Sequence, residues 1–416
     1  MRHSRHANHK SPRRCQLRGP VVHALTIVGV CVVIVLGQNP ATAKIIVVDA
    51  AEPNHDVVLF SWYKDRCEQT DIPDAPARAF RDYKGQVHLI ATHERNRALV
   101  GPDFDHLHHS CTVIYQGAHS DDPSLFDDRQ WLTSFTTVDG RNIYAIVHNE
   151  YQGNLRRSVC PSSSYNSCWR NSLTFAVSHD GGYSFHEPVG SQKIIATLPY
   201  PYRGELGHPA GYFQPTNIVY KDKAYFVMFH AEALGAQHWG ECLAKTTEPT
   251  DPRSWRAWDG KGFNVGFLDA NSVRAGQADA HVCQPIGVGH FYDVGSLSYD
   301  PASDLFILVS FIPKGQGSSE TPPGAYFATS PDLVMWSPSV LIVSAETLDR
   351  HAGPTNVRYG FFSMIDEASS RHDFSEIDPS PSLFLYYVRF YPDSPPYSRT
   401  LVKRKLVLRR ASTSQK

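Results

Sequence analysis

Charge of one sign forms no long run in the body of this sequence. Its 416 residues carry 40 lysines and arginines against 41 acidic residues, which leaves a formal net charge of −1. A chain without a basic stretch gives no electrostatic reason to expect a nucleic acid as its partner. The balance is compatible with an uncharged polymer such as a polysaccharide, although it does not select one.

Common metal motifs are absent, and helical periodicity is scarce beyond the first 43 residues. There is no C-x-x-C pair and no H-E-x-x-H segment, which leaves little support for a zinc site. His106, His108 and His109 lie close together in "FDHLHH", and we interpret them as part of a polar loop. With 41% hydrophobic residues the chain can bury a large core, so it fits two ordinary domains or one large all-β domain.

The first 43 residues form a separate segment. Residues 2–18 are basic and polar, the run from Val21 to Gly37 is apolar, and small residues follow at Ala41 and Ala43. This order is typical of a secretory signal, so we predict cleavage after Ala43 and a secreted or periplasmic protein. The alternative is an uncleaved anchor, because the apolar run is nearly long enough to span a bilayer. Contact with a membrane is expected only through this segment.

The cysteines agree with export. Two of the eight lie in the N-terminal segment, and the remaining six form an even set that indicates disulfides in an oxidising compartment. Proximity in the sequence predicts the pairs Cys67 with Cys111, Cys160 with Cys168 and Cys242 with Cys283.

The dominant pattern of the mature chain is a hairpin, in which two apolar or alternating runs flank a short turn. Copies begin at Ala77, Thr133, Pro215 and Gly295, and a weaker fifth joins "RYGFFSMID" to "SLFLYYVRFY". A second pair of short strands follows most of them. This repetition is typical of a β-propeller. We predict an all-β fold, a five-bladed propeller with four-stranded antiparallel blades over residues 44–410, followed by a tail at 411–416. A β-sandwich or β-helix is the alternative.

Two turns carry a resemblance to known families. "SHDGGYSF" resembles the Asp-box of sialidases and related propellers, whose pattern is filled by Ser178, Asp180, Gly182, Ser184 and Phe185. The spacing of Ser330, Asp332 and Trp336, without the glycine, is similar to the equivalent turn in five-bladed glycoside hydrolases of families 43, 32 and 68. Such turns join outer strands, so they indicate fold and not chemistry. Together they favour a carbohydrate-active propeller.

Polar groups recur where the second strand of a predicted hairpin ends. In a blade, that end lies on the same face as the start of the first strand, so groups at both places converge around the mouth of the channel. The strand ends supply His93 and Glu94, His148 and Glu150, and His230 and Glu232. The strand starts supply Asp71, Asp74, Arg78, Arg81, Asp127, Asp128, Trp131, Tyr212, Gln214, Asn217, His290, Tyr292 and Asp293. Carboxylates beside aromatic residues in a concave mouth suit sugar chemistry.

The resemblance to five-bladed hydrolases implies roles for some of these groups. It implies a base or nucleophile at Asp74 and an aspartate that tunes the acid at Asp127 or Asp128. The sequence departs from that family at Gln214, where a glutamate acid is expected. Glu150, Glu232 or Glu205 then remains as the acid.

We therefore predict an exported glycoside hydrolase that acts on a poly- or oligosaccharide without a cofactor. The predicted catalytic residues are Asp74, Glu150 and Glu232. The predicted substrate-binding residues are Arg78, Trp131, His148, Tyr151, Gln214, His230 and Asp293.

Three further points stay open at the level of sequence. A structural calcium ion held by Asp293 or Asp74 is one of them. A glycan-binding propeller without turnover is the alternative function, and Gln214 favours it. A sialidase would need three arginines around a carboxylate, for which the candidates are Arg78, Arg81 and Arg389.

Overall fold

The structure, a computed structural model, describes residues 45–49, 56–188, 190–287, 294–350, 356–395 and 397–410. The predicted signal segment, the predicted site residue Asp293 and the tail at 411–416 lie outside the described residues. In the part of the chain that is described, no helix is both long and apolar enough to cross a membrane.

Short β-strands make up most of the described chain. Strands β1 to β12 are Ile45–Asp49, Val57–Ser61, Pro73–Arg81, Val87–Thr92, Leu99–Gly101, His108–His109, Arg129–Thr136, Ile143–Gln152, Trp169–Ser178, Ile194–Ala196, Ala210–Phe213 and Val219–Lys221. Strands β13 to β23 are Ala224–Glu232, Gly240–Thr246, Arg256–Trp258, Phe263–Val265, Val294–Asp300, Leu305–Ile312, Gly324–Ser330, Val340–Ser344, Arg358–Asp366, Leu383–Phe390 and Arg399–Arg410. The α-helices are single turns, α1 at Trp62–Asp65, α2 at Tyr165–Cys168 and α3 at Ala345–Asp349. The predicted all-β class is confirmed.

The strands follow one another in antiparallel groups along the chain. The first group is β3 to β6, the second β7 to β10, the third β11 to β16 and the fourth β17 to β20. The fifth contains β21, β22 and β23, and both β1 and β2 join it by pairing with β23. Each predicted hairpin is present, including the weak fifth one, in which β21 pairs with β22. The predicted four-stranded antiparallel units are thus confirmed, with two further strands in the third group and one in the fifth.

The second and third groups are joined into one ten-stranded sheet, which the sequence does not predict. The junction is a short parallel pairing of Ala210 with Arg170 and of Gly211 with Asn171. Gly211 has a φ of 117°, and a Cβ there would lie 2.0 Å from the Asn171 carbonyl oxygen. Only glycine permits this approach of the two backbones.

The apolar core lies between neighbouring groups. Separate buried clusters join the first group to the second, the second to the third, the third to the fourth and the fourth to the fifth. A further cluster joins the fifth group to the first, and its members include Phe374 and Tyr386 together with Ala77 and Leu89. Each group therefore buries its faces against the groups before and after it.

The first strands of the groups meet around Arg78, which is 3% exposed. Its guanidinium donates hydrogen bonds to the carbonyl oxygens of Thr133 at 3.0 Å, Pro215 at 3.2 Å and Gly295 at 2.6 Å. It also donates to Ser363 Oγ at 3.1 Å. One buried side chain in the first group thus contacts all four of the other groups.

The three predicted disulfides are confirmed. Cys67 is bonded to Cys111, Cys160 to Cys168 and Cys242 to Cys283, with Cα separations between 5.5 and 6.0 Å. The second of these closes a short loop that contains helix α2.

Candidate active site

A cavity of about 260 Å³ lies where the start of β3 meets the end of β8, and we call it the Glu150 cavity. Its walls come from the first, second, third and fifth groups of strands. It is lined by Asp74, Ala75, Pro76, His93, Trp131, Thr133, His148, Glu150, Gln152, Tyr165, Trp169, Gln214 and Phe361. Among the predicted site residues, the structure thus brings together Asp74, Trp131, His148, Glu150 and Gln214.

Alternation along β8 decides which of its polar residues reach this cavity. Successive side chains of a strand point to opposite faces, so His148, Glu150 and Gln152 lie on one face. Asn149 and Tyr151 lie on the other and line a different cavity. Of the four neighbours in "HNEY", only the first and third therefore belong to the Glu150 cavity.

Glu150 is held as a neutral acid. Its side chain is buried, and the removal of water together with the nearby charge of Asp74 raises its pKa to about 8. Two hydrogen bonds oppose this shift, because Gln152 Nε2 donates to Oε2 at 2.8 Å and the Tyr165 hydroxyl lies 3.3 Å from the same oxygen. Burial outweighs both, so the carboxyl group keeps its proton at neutral pH.

Asp74 is the second carboxyl group of the cavity, and its side chain is 20% exposed. Arg399 forms an ion pair with one of its oxygens, and His93 Nε2 lies 3.8 Å from the other. Asp74 and Glu150 line the same cavity, and the charge of Asp74 contributes to the raised pKa of Glu150. One protonated and one charge-paired carboxyl group therefore share a single cavity.

Aromatic side chains form the walls of the cavity and carry unused hydrogen-bond donors. The rings of His93 and Trp131 are 5.4 Å apart, and Trp169, at the start of β9, lines the same cavity. Trp131 Nε1, Trp169 Nε1 and His93 Nδ1 are buried without a hydrogen-bond partner among the described residues. Flat aromatic faces suit the apolar side of a sugar ring.

His148 contributes a neutral group. Burial lowers its pKa to about 3, so the ring carries no positive charge at neutral pH. Its Nε2 lies 3.6 Å from Glu150 Oε1 and contacts the side-chain amide of Asn171. His148 and Glu150 are thus both uncharged, so their contact is not an ion pair.

His230 and Glu232 do not line the Glu150 cavity. His230 lies 3.5 Å from Glu232 and 2.9 Å from Glu241. Burial lowers the pKa of His230, but the hydrogen bonds and negative charges of the two glutamates outweigh it and raise that pKa to about 10. Glu232 is therefore neutralised by a histidine cation on β13, away from Asp74.

Arg78, Asp128 and Glu94 also have partners elsewhere. The Arg78 guanidinium donates to main-chain oxygens at the meeting point of the groups, as described above. Asp128 forms an ion pair with Arg156 at 2.9 Å and accepts a hydrogen bond from the Gln152 backbone nitrogen at 3.0 Å. Glu94 pairs with Arg129 at 2.6 Å. None of these groups lines the Glu150 cavity.

Tyr165, Trp169 and Arg399 are members of the site that sequence reasoning does not find. Tyr165 lies on α2, inside the loop closed by the predicted Cys160–Cys168 disulfide, so an aromatic residue in that loop is a usable signal. Trp169 starts β9, opposite Gln152. Arg399 is 325 residues from Asp74 in the chain, and no local pattern connects them.

Two sets of side chains in the described residues have the spacing of a metal site. They are Cys67, Asp71 and His109, and Cys160, Cys168 and Glu205. In both sets the cysteines are bonded in disulfides, so neither set supplies three free ligands. The predicted calcium ligand Asp74 pairs with Arg399, and Asp293 lies outside the described residues.

No protein-family model matches the sequence, and no curated protein matches it. Solved structures similar to the chain are glycoside hydrolases. A thermostable family-43 glycoside hydrolase is 11% identical over 83% of this chain and 94% of its own, with a TM-score of 0.45. The α-L-arabinanase of Cellvibrio cellulosa, solved with arabinohexaose, is 11% identical over 81% and 92%, with a TM-score of 0.45.

The catalytic domain of a family-62 α-L-arabinofuranosidase from Coprinopsis cinerea is 12% identical over 69% of this chain and 94% of its own, with a TM-score of 0.33. Family-43 hydrolases, to whose turn the spacing of Ser330, Asp332 and Trp336 is similar, are thus also among the similar solved structures. At this level of similarity the chemistry has to be argued from the site itself.

Proposed function

We propose that the protein is a five-bladed β-propeller and that its blades are the five groups of strands. Three features support the proposal: each group packs on the next, the fifth packs on the first, and β1 from the start of the chain pairs with β23 from its end. In this arrangement the Glu150 cavity lies at the mouth of the central channel, and Arg78 lies within that channel.

The proposed function is that of a glycoside hydrolase acting on a poly- or oligosaccharide. One observation carries it: a buried glutamate with a pKa of about 8 shares an aromatic-walled cavity with a second carboxyl group that is paired with arginine. Glycoside hydrolysis requires a protonated acid and an ionised partner on either side of one bond. Two carboxyl groups in different environments supply these two states.

In the proposed reaction Glu150 donates its proton to the oxygen that leaves with the aglycone, and it becomes a carboxylate. Gln152 and Tyr165 then stabilise the new charge, because both donate hydrogen bonds to Oε2. Asp74 acts from the other side of the glycosidic bond. It either attacks the anomeric carbon as a nucleophile or takes a proton from the attacking water as a general base. The volume of the cavity, about 260 Å³, matches a site for one sugar unit, and the rest of the saccharide would lie outside the cavity.

Export remains part of the proposal. The three disulfides support it, because disulfides form and persist in oxidising compartments. Residues 1–43 support it as well, because a basic stretch, an apolar run and small residues follow one another as in a secretory signal.

A glycan-binding protein without turnover is the second candidate. Gln214 favours it, because this amide lines the cavity close to where related hydrolases are expected to supply a carboxyl group. The sialidase alternative gains no support from the geometry, since Arg78, Arg81 and Arg389 do not line the Glu150 cavity. Turnover distinguishes the first two candidates.

The test uses the protein recovered from an oxidising secretion host, with its N-terminus read by mass spectrometry. It is incubated with plant, microbial and host glycans, and new reducing ends are measured. Replacing Glu150 by Gln should lower turnover of any cleaved glycan roughly 10²- to 10⁴-fold while binding persists. Glu232→Gln is the matched control, because it removes a carboxyl group from outside the cavity.

Three outcomes have different meanings. Equal activity in wild type, Glu150→Gln and Asp74→Asn would refute the assignment of both carboxyl groups. Saturable glycan binding without new reducing ends would establish the glycan-binding alternative. Loss of activity in Glu232→Gln alone would move the acid to β13.

A further inference from the structure

A second cavity, of about 350 Å³, lies on the opposite face of β8, and we call it the Arg170 cavity. Asn149 and Tyr151 of β8 line it together with Ser172 and Arg170 of β9, which are their cross-strand partners. Residues that pair across an antiparallel ladder lie on the same face of the sheet. One strand pair therefore carries the Glu150 cavity on one face and a distinct cavity on the other.

Arg170 is a buried cation with an incomplete set of partners. The residue is 9% exposed, and its Nη2 donates to the carbonyl oxygens of Leu198 at 2.9 Å and Tyr200 at 2.7 Å. Its Nη1 is buried and has no hydrogen-bond partner among the described residues. A buried charge without a counter-ion is costly, so a partner that supplies both an acceptor and a negative charge is favoured.

No carboxylate of the described chain acts as that counter-ion. Burial lowers the pKa of Arg170 to about 10, and the groups that oppose the shift are Tyr212 and Tyr202. Asp269 lines the same cavity, but its oxygens accept hydrogen bonds from the backbone of Asn271 and from the Ser272 side chain. The acidic group in the wall is thus bound to its own loop.

The rest of the wall suits a body with a flat face and hydroxyl groups. Tyr151 and Tyr202 pack with ring centroids 4.7 Å apart, and their hydroxyls donate to the carbonyl oxygens of Asp121 and Cys168. Asn149 is 3% exposed, and its Oδ1 is buried without a hydrogen-bond partner in the described part of the chain. Two residues that line the same cavity, Arg170 and Asn149, thus each carry a buried polar atom without a partner in the described chain.

We propose that the Arg170 cavity binds a small carboxylate with a ring-sized, hydroxylated body, such as a hexuronic acid. The carboxylate accepts a hydrogen bond from Arg170 Nη1, and a hydroxyl group of the ligand donates to Asn149 Oδ1. A singly charged carboxylate matches one free guanidinium nitrogen, whereas phosphate brings more charge and more acceptors than the cavity can pair. This site is independent of the proposed hydrolysis, because it uses none of the residues that line the Glu150 cavity.

The test measures binding of D-glucuronate and D-galacturonate by calorimetry and by ligand-observed NMR, with D-glucose and inorganic phosphate as comparison ligands. At least one uronate should bind saturably and at least tenfold more tightly than D-glucose. Arg170→Gln should weaken its binding at least tenfold, and Arg253→Gln is the matched control because it removes an exposed arginine. Asn271→Trp should block the cavity from an exposed position in the wall.

Trp131→Ala separates the two cavities, since it alters only the wall of the Glu150 cavity and should leave uronate binding unchanged. If Arg170→Gln fails to fold, Asn271→Trp still decides the matter. The proposal is overturned if neither uronate binds, if D-glucose or phosphate binds as tightly, or if uronate binding survives Asn271→Trp and disappears in Trp131→Ala.

Discussion

Replacing Glu150 by Gln should change how the stability of the protein depends on pH. The substitution keeps the size and shape of a buried side chain and removes its ability to ionise. Burial and the charge of Asp74 raise the pKa of Glu150 from 4.5 to about 8 in the folded protein. The unfolded chain loses that proton at the lower value. The folded state thus binds one proton more than the unfolded state throughout the interval.

The sign follows from this difference in bound protons. Between about pH 4.5 and about pH 8 the free energy of unfolding falls as the pH rises, because the unfolded state gains from releasing the proton. The slope is about 1.4 kcal/mol per pH unit for one proton. Over the full interval, ionisation of this group lowers the free energy of unfolding of the wild type by about 4 to 5 kcal/mol, and above pH 8 this loss stays constant.

Urea unfolding of the oxidised protein measures this loss. Wild type, Glu150→Gln and the exposed control Glu320→Gln are unfolded at intervals from about pH 5 to about pH 9. The free energy of unfolding of Glu150→Gln minus that of the wild type should rise by about 1.4 kcal/mol per pH unit and level off near pH 8. The same difference for Glu320→Gln should stay flat.

A flat difference for Glu150→Gln would contradict the reasoning. It would mean that Glu150 ionises in the folded protein as it does in water, and a carboxyl group of that kind cannot hold a proton for a leaving group at neutral pH. If the difference rises as expected, the buried carboxyl group of Glu150 lowers the stability of the protein at neutral pH. Residues of functional sites commonly reduce stability in this way.

Three other changes have defined outcomes. Arg78→Met should lower the free energy of unfolding by about 3 to 5 kcal/mol at neutral pH, since it leaves several buried oxygens without their donor and each unsatisfied acceptor costs about 1 to 3 kcal/mol. Equal urea midpoints for variant and wild type would contradict this. Tyr165→Phe should raise the pKa of Glu150, because it removes a hydrogen bond to the ionised form. The alkaline limb of the pH–rate profile should then move to higher pH, and a shift to lower pH would contradict the prediction. Glu232→Gln should lower the pKa of His230 in an NMR titration and leave glycan turnover unchanged, and an unchanged titration would show that the ion pair does not form.

The disulfides and the hairpins are predictable because both depend on local information. Cys160 and Cys168 lie on either side of a short polar loop, and a loop of that length brings its ends together at small entropic cost. Alternating runs on either side of a turn specify an antiparallel pair for the same reason. The junction at Gly211 is different, because a parallel contact between β9 and β11 depends on how two groups approach, which neither segment encodes by itself.

The composition of the site shows the same division. Asp74, Trp131 and Glu150 are predictable, because each lies where a hairpin strand begins or ends. Arg399 is not, because it pairs with Asp74 across most of the length of the chain. Arg78 has the sequence position of a binding residue, yet the packing of the groups surrounds it with main-chain oxygens.

By itself the sequence determined the all-β class, the hairpin units, the disulfide pairs and the strand ends that carry polar groups, since each of these follows from patterns within a few tens of residues. Only the tertiary structure decided which polar groups share a cavity, which carboxyl group is buried as a neutral acid and which is paired with arginine. The reason is physical: a pKa depends on burial and on nearby charges. Both burial and nearby charges are produced by segments that are far apart in the chain. Which face of a strand borders a given cavity is likewise decided only when the groups of strands pack together.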